Sequence, residues 1–213
     1  WYAWQVSILG LGPIFMGKNE SVKKKTAKFL REGGIFAFGL SERAHGADLY
    51  SSEMSLTPLA EGKYVADGGK YYIGNANKAA LVSTFAKNSE TDEYVFFVVN
   101  PQHPNYDLVQ NVVNWEGYVA EYALNGYPIT DDDILTTGRD AWDSSLNTIN
   151  VGKFNLGWGA IGIVETSDPS LVGLSVEDVA LQRCQDPLEV CFDLLVADAG
   201  LTLEELRVDG GAT

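Results

Sequence analysis

From Ile35 to about Leu124 the chain alternates short β-rich runs with turn residues, and no helical stretch of useful length interrupts them. The runs are Ile35–Leu40, Lys63–Val65, Tyr71–Ile73, Ala80–Phe85, Tyr94–Val99, Tyr106–Val113 and Tyr118–Leu124. Gly62, Gly68-Gly69, Asn75 and the Pro101–Pro104 segment punctuate them. Many short strands with frequent turns predict a sandwich or barrel. A doubly wound parallel sheet needs a helix between successive strands, so it is disfavoured.

Helical patterns flank this region. Residues 1–18 are apolar and read as a buried helix, with a turn or loop expected around Gly12-Pro13. Residues 19–32 read as a second helix. Asn19 or Ser21 caps it, Val22, Thr26, Phe29 and Leu30 form one face, and Gly33-Gly34 ends it. Residues 141–163 carry spaced small residues, the pattern of a closely packed helix. Helix starts are expected at Ser175-Val176-Glu177-Asp178, Asp186-Pro187-Leu188-Glu189 and Thr202-Leu203-Glu204-Glu205. After the second of these, Leu188, Cys191, Phe192 and Leu195 share one helical face. The expected fold class is α+β, an antiparallel β-barrel or sandwich flanked by helices. Its expected parts are 1–34, 35–140, 141–163 and 164–213.

Charge narrows the partners. The formal net charge is -14, and phosphate neutralisation needs clustered Lys and Arg, so nucleic acid is not expected. The basic run Lys23-Lys24-Lys25 reads as a solvated helix face. No apolar run approaches the ~20 residues that span a bilayer. Cys184 and Cys191 fall two helical turns apart, too far for a disulfide within one helix, so a reduced, cytoplasmic setting is expected. The opening Trp1-Tyr2-Ala3-Trp4 does not resemble a signal peptide and reads as the interior of a longer chain.

Most motif readings fail on spacing. Gly10-Leu11-Gly12 invites a dinucleotide fingerprint, but Phe15 stands where the third glycine belongs, and a loop between helices is the better reading. His45 and His103 have no partner at metal-ligand spacing, and no metal site is expected. Asp131–Asp133 reads as a solvated loop. Two segments do carry information. Phe36-Ala37-Phe38-Gly39-Leu40-Ser41-Glu42-Arg43-Ala44-His45-Gly46-Ala47-Asp48 is a strand running into a polar turn, which offers backbone N–H groups and a hydroxyl to a ligand. Further on, Asp67-Gly68-Gly69-Lys70-Tyr71-Tyr72-Ile73-Gly74-Asn75-Ala76 is an aromatic strand with a Gly/Asn end.

Together these resemble the paired signatures of acyl-CoA dehydrogenases. Those are a Thr/Ser-Glu-x-x-x-Gly-Ser-Asp turn followed by an Asn-Gly-x-Lys-x-(Trp/Tyr)-Ile-(Thr/Ser)-Asn strand. The resemblance covers residues 5–163, from the end of an N-terminal helical domain through the β domain to the first helix of a C-terminal bundle. It implies FAD as cofactor and α,β-dehydrogenation of an acyl-CoA thioester, with hydride passing to the flavin. It also implies an electron-transfer flavoprotein as electron acceptor, and homo-oligomers at full length. Carried over position by position, it places Phe38, Leu40 and Ser41 along the flavin ring, with the Ser41 hydroxyl and backbone groups hydrogen-bonding it. Tyr72 then packs beside the flavin, Gly74 and Asn75 end the strand near the ring, and Gly46 and Ala47 contact the pyrophosphate and the thioester ligand. This chain departs from the pattern at Ala47 and Gly74, each of which lacks the usual hydroxyl, and at Arg43-Ala44-His45, which replaces Pro-Gly-Ala. No catalytic base is assigned; Glu165 lies near the end of the match without a motif around it. Residues 164–200 resemble a tract of the N-acyl-D-amino-acid deacylases, through Pro169–Ser175 and Asp186–Glu189. The alternatives are a non-catalytic β-sandwich module and an amidohydrolase remnant.

Overall fold

The computed structural model describes residues 2–113, 118–160, 168–186, 190 and 193–194. Contacts divide the chain into two units, Trp1–Gly152 and Lys153–Thr213.

The first unit begins with helix α1 (Tyr2–Met16). It runs straight through Gly12-Pro13, where a turn or loop was expected. The reason is tertiary. A Cβ on Gly10 would sit 2.6 Å from the Ala37 backbone nitrogen, and one on Gly12 would sit 2.5 Å from the Thr148 hydroxyl. These glycines permit close approach of the helix. Polar anchors add to it: Ser83 donates to the Gly10 carbonyl at 2.7 Å, and the Phe36 N–H donates to Ser7 Oγ at 3.1 Å. Such packing outweighs the helix-breaking tendency of Pro13.

Helix α2 (Glu20–Arg31) follows the sequence expectation closely. Asn19 Oδ1 accepts from the Val22 N–H at 3.1 Å, while its Nδ2 donates to the Asp132 and Ile134 carbonyls. The cap thus ties the helix to a distant part of the chain. Gly33, at φ +80°, turns the chain out.

Eight strands then build one sheet: β1 (Phe36–Gly39), β2 (Ser55–Ala60), β3 (Lys63–Gly74), β4 (Leu81–Asn88), β5 (Tyr94–Val99), β6 (Tyr106–Asn111), β7 (Val119–Thr130) and β8 (Ile134–Thr137). Their order is β6-β7-β3-β2-β4-β5-β8, with β1 joined to β4. The α+β class with flanking helices holds. The barrel form does not, because the path ends at β6 and β8 instead of closing. Most pairs are antiparallel, but β1 and β2 both lie parallel to β4.

The burial pattern explains the layering. β5 is a continuous apolar run, and β4 is buried from Leu81 to Ala86 with Ser83 and Thr84 included, because both faces are covered. On one face Val82, Ala86, Val95 and Phe97 pack with Ala66 and Ile73 of β3 and with Ala120, Tyr122 and Leu124 of β7. On the other, Leu81, Phe85, Phe96 and Val98 pack with Ile14 of α1, Val22 of α2 and Ala141 of α3 (Gly138–Ala160). The result is a sandwich whose layers stay hydrogen-bonded through β2, backed by helices. Phe96 and Phe97 are adjacent, point to opposite cores and are fully buried. Each contributes on the order of 2 kcal/mol by burial. Asp131–Asp133 form a short turn capped by Thr130, whose N–H and hydroxyl both donate to Asp133 Oδ2.

In the second unit, helix α4 (Val176–Arg183) starts at the expected capping box, with Ser175 and Asp178 exchanging hydrogen bonds at 3.0 Å. Leu171, Val176, Val179, Ala180 and Val190 form its small core. The expected features at Pro187–Glu189, Cys191, Phe192, Leu195 and Thr202–Glu205 lie outside the described residues, as does Glu165. No helix among the described residues is long and apolar enough to cross a membrane.

Candidate functional site

The two informative segments, distant in sequence, meet in space. β1 delivers Phe38 to Glu42, and β3 delivers Lys70 to Gly74. The Tyr71 N–H donates to the Ser41 carbonyl at 2.9 Å. The Lys70 ammonium, fully buried, donates to Glu42 Oε1 at 2.7 Å, to the Leu40 carbonyl at 3.0 Å and to Ser52 Oγ at 3.4 Å. Glu42 in turn accepts from the Ser52 hydroxyl at 2.5 Å, the Glu53 N–H at 2.7 Å and the Met54 N–H at 3.1 Å. The turn between β1 and β2 is therefore wrapped around one carboxylate.

The electrostatics agree with this arrangement. Burial alone raises the Glu42 carboxyl, but the Lys70 charge and the donated hydrogen bonds outweigh it and leave the value lowered. Burial pushes Lys70 down to about 8, and Glu42 holds it up against that burial. Both groups are charged at neutral pH. A buried pair of this kind is tolerated when its remaining donors and acceptors are matched, as they are here.

Backbone geometry shapes the exposed face. Tyr72 has φ +62° and is 60% exposed. A left-handed tyrosine is an outlier, and such strain costs on the order of 1–3 kcal/mol. It breaks the strand alternation so that Lys70 and Ile73 both point inward while the Tyr72 ring stands out. Asn75, also left-handed, is fully buried. It donates through Nδ2 to the Ala3 and Phe36 carbonyls at 3.0 Å, and its N–H donates to the Tyr118 carbonyl. Asn75 thus pins the end of β3 to α1 and β1. Gly39 is obligatory, since a Cβ there would overlap the Tyr122 hydroxyl.

The expected site residues divide into three groups. Phe38 is half-buried, with its ring stacked on Phe96 at 5.8 Å, and Leu40 is buried. The Leu40 N–H bonds the Phe38 carbonyl and its own carbonyl takes Lys70, so both its backbone groups have internal partners. Ser41, Tyr72 and Gly74 lie at the junction of the two segments, and the Ser41 hydroxyl has no protein partner among the described residues. Gly46 and Ala47 are exposed in the loop, with open space around Gly46. That loop is anchored by Arg43, which pairs with Glu121 at 2.5 Å and stacks on Tyr71 at 4.3 Å; His45 Nε2 lies 3.1 Å from Glu53 Oε1 without making a hydrogen bond.

Sequence reasoning passed over Glu42 and Lys70 as the pair that joins the segments. Both stand inside the quoted motifs, and a lysine beside the aromatic run Tyr71-Tyr72-Ile73 was the available signal. No cluster of three or more potential metal ligands occurs among the described residues. A cavity of about 570 Å³ opens elsewhere, lined by Met16, Leu135, Asp140, Ser144 and Asn147 among others, and none of the expected site residues lines it.

No family model matches the chain. It is 25% identical over 185 residues to an acyl-CoA dehydrogenase of Bacillus subtilis, covering 83% of this chain and 47% of that protein. That share exceeds what residues 5–163 make up, so the likeness runs past Ile163. It is 23% identical over 168 residues to a 3-(aryl)acrylate reductase of Clostridium sporogenes, covering 76% of this chain and 44% of that one. The chain spans about half the length of these curated relatives. Among solved structures, an acyl-CoA dehydrogenase of Bacillus anthracis complexed with FAD superposes with a TM-score of 0.64 at 24% identity, covering 70% of this chain and 26% of that one. Butyryl-CoA dehydrogenase of Megasphaera elsdenii gives 0.64 at 19%, covering 72% and 42%. An electron transferring flavoprotein structure of Acidaminococcus fermentans gives 0.64 at 18%, covering 94% and 60%. The curated relatives and the shared fold both point to the acyl-CoA dehydrogenase family.

Proposed function

We propose that this chain is the flavin-binding portion of an acyl-CoA dehydrogenase, and that the whole protein removes the α and β hydrogens of an acyl-CoA thioester with hydride passing to FAD. The observation that carries this reading is the junction of the two segments. The Glu42–Lys70 pair and the Tyr71–Ser41 hydrogen bond hold a strand end, a free hydroxyl and an exposed aromatic ring together. These residues fit a flat, polar-edged ring system. Tyr72 offers a stacking surface, Ser41 a hydrogen bond, and the bare backbone at Gly46 room for the rest of the cofactor. FAD, when bound, supplies the hydride acceptor; the protein's part is to bind and orient it. An electron-transfer flavoprotein as acceptor, homo-oligomeric assembly and a cytoplasmic setting belong to the same reading.

The test is optical. The purified chain is incubated with FAD, desalted, and its absorbance recorded near the flavin band at about 450 nm. A retained yellow chromophore is expected, and a colourless protein counts against the reading.

A second reading, a β-sandwich module without cofactor, draws on the two missing hydroxyls at Ala47 and Gly74 and on the internally satisfied backbone of Leu40. It predicts that neither FAD nor a medium-chain acyl-CoA raises the melting temperature. The amidohydrolase alternative requires stoichiometric zinc in metal analysis.

A further inference from the structure

Gly74 stands where the resembling family carries a hydroxyl side chain, and the structure shows what fills that space. A Cβ on Gly74 would lie 2.8 Å from the Tyr2 hydroxyl oxygen, and 2.9 and 3.0 Å from the two Val6 methyls. Tyr2 and Val6 are on the first turns of α1, which is held in register here by the Asn75 side chain donating to the Ala3 carbonyl at 3.0 Å. The close approach is therefore fixed by the neighbouring residue of the same strand end. A side chain at 74 would meet the Tyr2 hydroxyl and the Val6 methyls, so as the chain stands the Tyr2 hydroxyl occupies that space.

The Tyr2 ring is 38% exposed, on the side where Tyr72 also stands out at 60%. No group among the described residues hydrogen-bonds its hydroxyl. Burial, with a smaller push from Tyr72, raises its pKa, so at neutral pH it is a protonated donor.

We propose that Tyr2 is a positioning residue of the flavin site, its hydroxyl donating to the isoalloxazine edge the hydrogen bond that residue 74 cannot make. The hydroxyl at this strand end comes from α1 in place of β3, from a residue seventy-two positions away in sequence. This inference rests on the flavin reading given above.

Tyr2→Phe removes only the oxygen. In the full chain its far-UV circular dichroism and its melting temperature without FAD are expected to match wild type. Its affinity for FAD, read by flavin fluorescence quenching, is expected to fall about five- to tenfold, the size of one lost hydrogen bond to a ligand. Its visible flavin band and flavin midpoint potential are expected to shift, which a merely structural ring would not cause. Adding Val6→Ala and Gly74→Ser to Tyr2→Phe opens room for a serine hydroxyl and is expected to recover affinity. If wild type binds FAD and Tyr2→Phe binds it equally with an unchanged spectrum, the role of Tyr2 is overturned while the flavin reading stands. If wild type itself does not bind FAD, the flavin reading falls and this inference falls with it.

Discussion

Lys70 and Glu42 concentrate the chemistry of the candidate site into one buried contact. Truncating one partner leaves the other charge buried without compensation, so Lys70→Met is expected to lower stability by about 3–5 kcal/mol in urea denaturation. Glu42→Leu combined with Lys70→Met is expected to lose much less, because no lone charge remains. Equal losses in the two variants would mean that packing, not charge, dominates there. The pair also predicts a pH dependence. The folded-state value of Glu42 lies below its ordinary 4.5, so the unfolded chain takes up this proton first as pH falls. The stabilisation is complete above pH 4.5 and is lost as pH drops through the lowered value. Glu42→Gln should flatten this acid limb, and an unchanged limb in E42Q would assign it to other carboxylates. At this scale the sequence was informative about which segments mattered, since Ser41, Glu42, Lys70 and Asn75 all lie in the two quoted motifs. It was silent on Tyr2, because a contact between distant positions leaves no local pattern. It was equally silent on the internal partners taken by the backbone of Leu40.

Elements were legible where burial imposes an apolar run or a cap and stop bound a helix. β5 occupies the expected Tyr94–Val99, and α2 has the expected cap and glycine exit. β3 read as two runs because Asp67-Gly68-Gly69 resembles a turn; instead the strand bulges there, with Gly68 at φ +133° and a register shift against β7. β2 was missed since it contains Pro58, which is tolerated because pairing with β4 stops at Leu56 and leaves that side of Pro58 open. β8 is four residues long and too short to show a pattern. Glycines of α1 read as breakers although they serve packing, and two substitutions separate these roles. Gly10→Ala forces a methyl to 2.6 Å from fixed backbone and is expected to cost about 1–3 kcal/mol or more. Gly33→Ala meets nothing within 4 Å and is expected to cost only the left-handed strain, about 1 kcal/mol. Thermal melts of the two variants check the order; a larger loss for Gly33→Ala reverses the assignment.

At the scale of the molecule, unit one keeps apolar surface on its helices. Phe15 is 81% exposed on α1 and Val151 50% exposed on α3. Isolated apolar residues on a surface are ordinary, but ones this large promote association at high concentration. Phe15→Asp is expected to change stability by no more than about 0.5 kcal/mol while reducing self-association in sedimentation velocity; a large loss of stability would show that the ring is packed in solution. The strand order also has a consequence during translation. β3 lies between β2 and β7, yet β7 is made more than forty residues after β3 ends. At roughly 5–20 residues per second, the open edge of β3 waits several seconds on the ribosome for its neighbour, carrying Lys70 with it. Glu42, the carboxylate that Lys70 meets in the fold, lies upstream and is synthesised first, so the partner for that charge is available before the partner for the strand's backbone.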